Sequence, residues 1–306
     1  MSFKIGVDGG GTKTECILVN AEGTVVAVHV GAGCNPSIVG PEQARSIVSA
    51  ALNSLRAQAT AHTAGLTRTP FAPAPEIAAT LLCMAGSRPF WSEFAERLTG
   101  FGQITALDDS LPVLELATHG KPGLVLHAGT GSFVAARAPD GSVHYAGGLG
   151  WRFGDPGSGY DIGQRCVARA LLELQGWSPA SRLGALVREH TGLATATEIT
   201  RAFYGDASPN QKIAELAPAV LRLAGDGDQI AQQIVFQSTA GLLDLATQVA
   251  GKLFSSTLLD TVRTGLSGPI LTHPVVMQAL AARSPLVLAP VEGKPIEGVR
   301  RLLDKY

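Results

Sequence analysis

The sequence predicts an α/β protein with two similar halves, on three observations. Short apolar runs bounded by glycine turns alternate with longer segments whose apolar residues recur every three or four positions. One arrangement of predicted strands occurs twice in the 306 residues. The composition, 45% hydrophobic and 16% charged, supplies enough apolar side chains for one large core or two medium ones.

Each half opens with a predicted β-meander, over residues 4–30 and 124–147. In both segments an apolar run, a glycine loop, a second apolar run and a tight turn follow one another in the same order. A shift of 118 positions places Gly11-Thr12 on Gly129-Thr130. A glycine ends each tight turn, where it supplies the positive φ that a short hairpin requires. The two meanders therefore predict a duplicated fold.

Helical patterns and further strands follow each meander. Residues 57–75, rich in Ala, Thr and Pro, are predicted to be a surface connection. The predicted boundary between the halves lies between residues 112 and 113, so that the domains are 1–112 and 113–290. The predicted helices are 41–59, 88–98, 111–117, 158–175, 179–189, 196–203, 211–224, 229–253, 274–282 and 296–304, and the further strands are 77–85 and 104–107.

Charge and composition exclude several classes of function. The formal net charge is -1 and no basic stripe occurs, which argues against nucleic acid as a partner. Proline and histidine interrupt the longest uncharged stretches, so we expect no membrane span, and the immediate start of a strand-like run leaves no signal peptide. We expect a cytoplasmic protein whose four isolated cysteines are reduced thiols without zinc-site spacing. These are Cys16, Cys34, Cys83 and Cys166.

The two glycine loops are candidate phosphate-binding sites. They are Asp8 to Thr14 in the first half and Ala128 to Ser132 in the second. Glycine allows backbone N–H groups to approach an anion, and the hydroxyls of Thr12 and Thr14 are further donors. Asp8, at the predicted strand end, could hold a metal-bound water. Tight turns alone could explain one such loop, but two in matched positions favour a pair of hairpins that clamp a polyphosphate such as ATP.

Other nucleotide-binding and hydrolase motifs are absent from the sequence. No Gly-Lys pair is followed by Ser or Thr, which excludes a Walker-type phosphate loop. Residues 157–163 have neither the spacing nor the preceding strand of a dinucleotide fingerprint. There is no G-x-S-x-G elbow and no HExxH pair among the seven histidines. The paired glycine loops are therefore the leading functional signal.

Four motifs resemble those of one known family. They are Asp8 to Thr14, Gly129 to Ser132, Gly154 to Gly159 and Leu266 to Pro269. In this order they look like the phosphate 1, phosphate 2, sugar-loop and adenosine motifs of the N-acetylglucosamine kinase and BadF/BadG/BcrA/BcrD ATPase family. That family belongs to the actin, hexokinase and heat-shock-chaperone superfamily.

The resemblance implies a complete architecture. We expect two duplicated ribonuclease H-like domains of the actin and hexokinase type, with the active-site cleft between them. The C-terminal helix, within residues 291–306, is expected to pack back on the first domain. The resemblance further implies ATP and Mg²⁺ as cofactors, an amino sugar as small-molecule partner, and a homodimer.

The resemblance also implies a role for individual residues. Those expected to bind the nucleotide are Gly10, Gly11, Thr12, Lys13, Thr14, Gly129, Thr130, Gly131, Ser132, Ala214 and Gly268. Those expected to bind the sugar are Asn35, Asp109, Gly148, Leu149 and Asp155. Asp8 would bind Mg²⁺ through water.

Asp109 resembles the catalytic base of the family in place, because it lies between the predicted strand 104–107 and the helix that follows. A carboxylate within hydrogen-bond reach of a sugar hydroxyl can orient that hydroxyl and accept its proton during phosphoryl transfer. Asp108 is the alternative base. Asp109 or Ser110 could instead cap the helix that follows.

Two departures from the family pattern fall in the expected sugar pocket. Pro156 stands where the family has glutamate, and Leu149 stands where N-acetylglucosamine kinases usually have tryptophan, although Trp151 lies two positions on. The sugar is therefore open between N-acetylglucosamine, glucosamine and another amino sugar.

The resemblance implies an ATP-dependent amino-sugar kinase that phosphorylates a 6-hydroxyl. The alternatives are a BadF-type ATPase or another hexose kinase of the superfamily, and a sugar-sensing regulator without turnover. The scattered cysteines argue against a cluster-bearing ATPase activator. The early first strand leaves no room for the N-terminal helix-turn-helix of a regulator.

Overall fold

The computed structural model describes residues 2–67, 75–255 and 257–306, which form two compact units. The first unit comprises Met1–His119 and Glu292–Tyr306, and the second comprises Gly120–Val291. The boundary that the sequence predicts, at residues 112–113, falls inside a helix that spans Ser110–Thr118. This whole helix belongs to the first unit, because it packs against the helix near the C-terminus.

Each unit contains a five-stranded mixed sheet, and the two sheets have the same topology. The strands are β1 (Ser2–Gly9), β2 (Lys13–Asn20), β3 (Val25–Ala32), β4 (Glu76–Met84), β5 (Gln103–Asp108), β6 (Gly123–Ala128), β7 (Ser132–Arg137), β8 (Val143–Gly147), β9 (Arg263–Ser267) and β10 (Val287–Pro290). The first sheet has the order β3-β2-β1-β4-β5, and the second has the order β8-β7-β6-β9-β10. In both, an antiparallel meander continues into two parallel strands. The predicted duplicated α/β fold is confirmed.

The helices fill the connections between these strands. They are α1 (Pro36–Val39), α2 (Pro41–Thr67), α3 (Arg88–Arg97), α4 (Ser110–Thr118), α5 (Gly159–Leu174), α6 (Arg182–Thr191), α7 (Ala196–Gly205), α8 (Pro209–Ala214), α9 (Ala217–Gly225), α10 (Gln229–Leu253), α11 (Pro274–Ala281) and α12 (Pro295–Leu303). A 3-10 turn spans Leu259–Thr261. Within the described residues, no helix combines the length and the apolar character needed to cross a bilayer.

Three predictions of secondary structure were wrong. The helix predicted over 41–59 continues to Thr67, so the connection predicted from residue 57 begins later, and residues 68–74 lie outside the described residues. The single helix predicted over 211–224 is two helices, because Pro218 in the first turn of α9 is incompatible with a continuous helix. No strand was predicted for β9 or β10, which are only five and four residues long.

The sheet of the first unit is covered on both faces. Alternation along β1 directs Phe3, Ile5 and Val7 into a core shared with α2 and α3. The opposite face carries a second core, in which α12 covers the sheet. Gly6 belongs to that opposite face, since a Cβ built on it would meet Val299 of α12. Asp8, two positions further on, points to the same side as Gly6.

The sheet of the second unit forms one core with the surrounding helices. Leu124, Leu126 and Val134 from β6 and β7 are fully buried in it. Small residues at the ends of β6 and β9 leave the chain free to turn sharply there. These strand ends carry the glycine motifs of the second unit.

Candidate active site

Three aspartates come together at one edge of the first sheet. Asp8 ends β1 beside Cys83 of the parallel strand β4, and Met84 of β4 pairs with Asp108 at the end of β5. Asp109 follows directly. Burial raises the pKa of the Cys83 thiol well above its usual value, and the charges of Asp8, Asp109 and Asp108 raise it further. The acids therefore surround the carboxyl end of β4, where open α/β sheets bind ligands.

Asp108, and not Asp109, caps helix α4. Its Oδ1 accepts a hydrogen bond of 2.9 Å from the backbone N–H of Ser110. Asp109 occupies the N-cap position, but its side chain makes no capping hydrogen bond. The alternative that Asp109 serves only as a cap is therefore not what the structure shows. Its side chain instead hydrogen-bonds with that of Asp108.

The surroundings of Asp109 disfavour its charged form. Burial is the largest cause, and the neighbouring charges of Asp108 and Asp8 add to it, so that the pKa of Asp109 rises to about 7. A carboxyl group with this pKa exchanges protons near neutral pH, which is the property that a general base needs. The position at the strand ends thus raises the pKa of an ordinary aspartate into the neutral range.

Asp8 has the properties of a magnesium-linked carboxylate. It is 9% exposed, and burial raises its pKa to about 6 against the opposing charge of Lys13. A nearby dication would compensate this buried charge. Among the described residues, no three His, Cys, Asp or Glu side chains cluster as metal ligands. Since Mg²⁺ commonly takes one or two carboxylates and completes its shell with water and phosphate, a single Asp8 fits such a site.

The first glycine loop is held by the segment that follows β3. Cys34 donates its backbone N–H to Gly10 over 3.0 Å. A Cβ on Gly33 would overlap the carbonyl group of Gly11, so only glycine permits this approach. The sequence prediction missed Gly33, although the run Gly31-Ala32-Gly33 was a signal for close backbone packing.

The side chains of this loop divide into exposed and committed groups. Thr12 and Lys13 are exposed, and Lys13 forms an ion pair of 2.7 Å with Glu15. Thr14 is fully buried, and its hydroxyl donates to the carbonyl oxygen of Ala32 over 2.7 Å. That hydroxyl cannot donate to a phosphate in this arrangement. The glycine backbone and Thr12 remain the groups suited to an anion.

Asn35 lies beside the same strand ends. Its Oδ1 caps α1 by accepting from the backbone N–H of Ser37 at 3.0 Å, which leaves the amide NH₂ group as a donor. Gly86, which follows β4 with φ 95°, approaches so closely that a Cβ there would lie 2.8 Å from this Oδ1. Gly86 was not among the predicted residues. Its positive φ is a property of the folded turn that the sequence alone does not reveal.

In the second unit, the second glycine loop is joined to the loop before α5. Gly159 donates its N–H to the carbonyl of Gly129 over 2.7 Å. The Ser132 hydroxyl donates to the carbonyl of Pro156, also over 2.7 Å. Ser132 is thus used in the same way as Thr14, its counterpart in the repeat. The phosphate 2 and sugar-loop motifs form one connected structure.

Asp155 lies against the phosphate 2 loop. It is 6% exposed and has φ 65°, a left-handed conformation that residues other than glycine adopt at a cost. Its carboxylate accepts hydrogen bonds from the N–H groups of Ser132 and Gly150, while burial raises its pKa. Oδ1 is buried without a hydrogen-bond partner in the described residues. This oxygen is a candidate acceptor for a ligand hydroxyl.

The residues expected at the adenosine and base pocket lie beside the same loop. Gly268 has φ 87°, and a Cβ on it would overlap the carbonyl group of Ala128. The carbonyl oxygen of Ala214 lies 3.5 Å from the position of a Cβ on Gly159. The second unit therefore brings its predicted nucleotide residues together.

Gly148 and Leu149 occupy the turn after β8. Gly148 donates its N–H to the carbonyl of Ser132 over 3.0 Å and has φ 61°. Leu149 is 66% exposed. This turn is tied to the phosphate 2 loop through Ser132. The apolar side chain of Leu149 is not part of the hydrophobic core of the second unit.

Comparison with known proteins decides the family. The sequence profile of the BadF/BadG/BcrA/BcrD ATPase family matches residues 5–280. The chain belongs to this family. Membership of an ATPase family implies that the chain binds ATP.

Two curated relatives of this BadF/BadG/BcrA/BcrD family member are sugar kinases by name. N-acetyl-D-glucosamine kinase of Dictyostelium discoideum is 26% identical over 262 residues, which cover 81% of this chain and 79% of that protein. Glucosamine kinase GspK of Vibrio cholerae is 26% identical over 303 residues, covering 96% and 97%. The second match includes both units.

Two solved structures of similar fold are also named as sugar kinases. A protein from Chromobacterium violaceum, provisionally named an N-acetylglucosamine kinase, has a TM-score of 0.78 and 28% identity, with 98% of each chain covered. A ROK family glucokinase from Streptomyces griseus, solved with glucose and AMPPNP, has a TM-score of 0.56 and 13% identity, covering 99% and 98%. The second likeness shows a shared fold, of the kind found in hexokinases.

Proposed function

We propose that the protein is an ATP-dependent amino-sugar kinase that phosphorylates the 6-hydroxyl of N-acetylglucosamine or glucosamine, with Asp109 as the general base. The observation that carries this proposal is the state of Asp109. Its carboxylate has a pKa of about 7 and takes no part in capping α4. The names of the two curated relatives support an amino sugar as the acceptor.

The chemistry requires one proton acceptor and one site of charge stabilisation. Asp109 accepts the proton of the sugar hydroxyl as its oxygen attacks the γ-phosphorus of ATP. The bond between that phosphorus and the bridging oxygen breaks, and ADP leaves with the electron pair. Asp8 would hold Mg²⁺ through water, and the ion, when bound, would supply neutralisation of the phosphate charge.

The chain's own residues bind and orient the two substrates. Backbone N–H groups of Gly11 and Gly131 would contact the phosphates, with Thr12 and Thr130 as side-chain donors. The N–H groups of Gly10 and Gly129 instead donate within their loops, to the carbonyls of Lys13 and Gly131, and hold the loop shape. Gly268 would let the backbone approach the adenosine, beside Ala214. In this proposal Asn35 donates to a sugar hydroxyl, and Asp155 accepts one at the oxygen that lacks a protein partner.

A substrate panel tests the proposal directly. ADP release is measured in a coupled assay with glucosamine, N-acetylglucosamine, N-acetylmuramic acid and glucose, each with Mg²⁺-ATP. We expect sugar-dependent turnover with at least one amino sugar, and phosphate on its 6-oxygen by NMR. ADP release at the same rate with and without every sugar would instead indicate an ATPase.

The family resemblance also leads us to propose a homodimer. Light scattering coupled to size-exclusion chromatography gives the molar mass in solution. A mass of one chain at assay concentration would overturn this part of the proposal.

A further inference from the structure

Helix α12 contacts both elements that carry the acids of the candidate site. Against β1, a Cβ on Gly6 would lie 2.7 Å from Cγ1 of Val299 and 3.0 Å from Leu303. Against α4, a Cβ on Gly298 would overlap the carbonyl group of Pro112. These are distances at which only glycine fits. The helix thus fills the space between β1 and α4 with no slack on either side.

Each of these contacts lies close to an acid. Gly6 and Asp8 are two positions apart on β1, so they share one face of the strand. Pro112 is in the first turn of α4, three residues after Asp109 at the N-cap. A displacement of α4 by α12 would therefore also displace Asp109, by a similar distance.

Polar contacts hold α12 in this place. Lys305 forms an ion pair with Glu115 of α4, with Nζ and Oε2 2.9 Å apart. Arg301 contacts Nδ1 of His119 at the other end of that helix, at 2.7 Å. On the strand side, Lys4 donates to the carbonyl oxygen of Leu303 over 3.0 Å. The helix is thus fixed to α4 and to β1 independently.

We infer that α12 sets the separation of Asp8 and Asp109, and that Gly298 is a positioning residue for phosphoryl transfer. This inference rests on the proposed function. A methyl group at residue 298 meets backbone, which cannot rotate away as a side chain would. Since Val299 blocks retreat toward β1, the added volume must push α4, and with it Asp109, away from the strand.

The first test is Gly298→Ala. We expect kcat to fall about tenfold, because displacements well below 1 Å at a reacting group already cost rate. KM for ATP should change much less than kcat, because the added methyl group displaces α4 and not β1, after which the first glycine loop lies, and because Gly129 to Ser132 and Gly268 belong to the other unit. The matched control is Gly251→Ala on α10, where a helical glycine has no atom within 4 Å of the added Cβ. Its kcat should equal that of the wild type.

A double variant separates positioning from stability. In Gly298→Ala/Val299→Ala the shortened side chain lets α12 move toward β1, so α4 can return. We expect kcat to recover toward the wild-type value while the thermal midpoint falls below that of the single variant, because the fully buried Val299 loses packing. A purely structural role for α12 predicts the opposite order of activity. Equal kcat for Gly298→Ala and wild type, or the lowest kcat in the double variant, would overturn the inference.

Two further measurements cover the remaining cases. If Gly298→Ala does not fold, Arg301→Ala is made instead. It removes the contact with His119, which weakens the packing of α12 on α4 without added volume, and it should lower kcat by a smaller factor. A crystal structure of the single variant gives the distance between Asp8 and Asp109 without any assay. An unchanged distance would refute the positioning role, whereas wild-type protein without sugar-dependent turnover would refute the proposed function instead.

Discussion

Two adjacent aspartates differ in their hydrogen bonds to the backbone because one of them ends a strand and the other begins a helix. Asp108 is the last residue of β5, from where its Oδ1 reaches the first N–H of α4. Asp109 already has helical φ and ψ, so its side chain cannot turn back to cap its own helix. Of two adjacent carboxylates, one therefore caps the helix, and the other is the one that we propose as the base.

This division of tasks predicts different effects of two matched substitutions. Asp109→Asn removes the proton acceptor, and we expect kcat to fall about 10²- to 10⁴-fold with a smaller change in KM for the sugar. Asp108→Asn keeps an oxygen that can accept from Ser110, so most of kcat should remain. Steady-state kinetics of both variants check this. Full activity of Asp109→Asn would remove our assignment of the base and leave the fold unaffected.

At the level of single residues, the sequence predicted positions better than roles. The strand followed by Asp108-Asp109 located the acids, but the choice between them depends on the φ and ψ of the helix start. Thr14 was predicted as a phosphate donor, and only the pairing of β2 with β3 shows that its hydroxyl meets the carbonyl of Ala32. Such commitments arise from neighbours distant in sequence.

At the scale of the elements, each glycine loop is held in its conformation by neighbouring backbone that packs directly on it. Gly33 lies on Gly11 in the first unit, and Gly268 lies on Ala128 in the second. Each contact places the segment after a meander or after a parallel strand against a phosphate loop. The loops are thus supported by the sheet and do not depend on their own turns alone.

A pair of glycines separates the cost of conformation from the cost of contact. Gly268 and Gly227 have nearly equal φ, 87° and 88°, but only Gly268 has backbone within reach of an added Cβ. Gly227→Ala should lower the free energy of unfolding by about 1–2 kcal/mol through left-handed strain. Gly268→Ala should lower the free energy of unfolding by a further ~1–3 kcal/mol, because the added methyl group is overpacked against the backbone. It should also bind ATP more weakly.

Urea unfolding and calorimetric titration with ATP measure these two quantities. Equal losses in both variants would show that the carbonyl of Ala128 can yield to the new methyl group. The approach of Gly268 to the phosphate loop would then have no energetic weight.

The strands β9 and β10 show where prediction of elements failed. Arg263 to Ser267 has too few residues for a clear alternation, and its last residues belong to a ligand motif. It is a strand because it pairs in parallel with the buried β6. Local sequence cannot supply that reason. The helices α5 and α10 and the two meanders carry their own signals and were predicted within a few residues, whereas α2 continues well beyond its predicted end.

Across the whole molecule, the repeat extends from loops to complete sheets. An offset found in a few residues of the meanders predicted two domains of one topology, and the strand orders confirm it. The two units nevertheless differ in the number of chain segments that form them. Unit two is one continuous segment, whereas unit one is assembled from two.

Stability in acid should depend on a histidine in the sheet of the second unit. His127 on β6 stacks on Phe133, with ring centroids 4.9 Å apart, and burial lowers its pKa to about 4. In the unfolded chain the pKa of this histidine is about 6.5. Below that pH the unfolded chain binds a proton at His127, whereas the folded chain does not. Stability is therefore complete above pH ~6.5 and falls as the pH drops toward ~4, by at most about 3 kcal/mol.

His127→Asn should flatten this dependence. Urea midpoints of the wild type, of His127→Asn and of the exposed His144→Asn are compared between pH ~7 and ~4.5. We expect only the first substitution to reduce the acid loss. A parallel slope in all three proteins would assign the loss to other groups.

The division of the first unit into two segments has a consequence for protein synthesis. The ribosome must translate all of residues 120–291 before the segment 292–306 emerges. Until then the hydrophobic face that α12 covers on β2 and β4 stays exposed, and exposed apolar surface makes a nascent unit prone to aggregate. Chaperone dependence should accordingly end only when this closing segment leaves the exit tunnel.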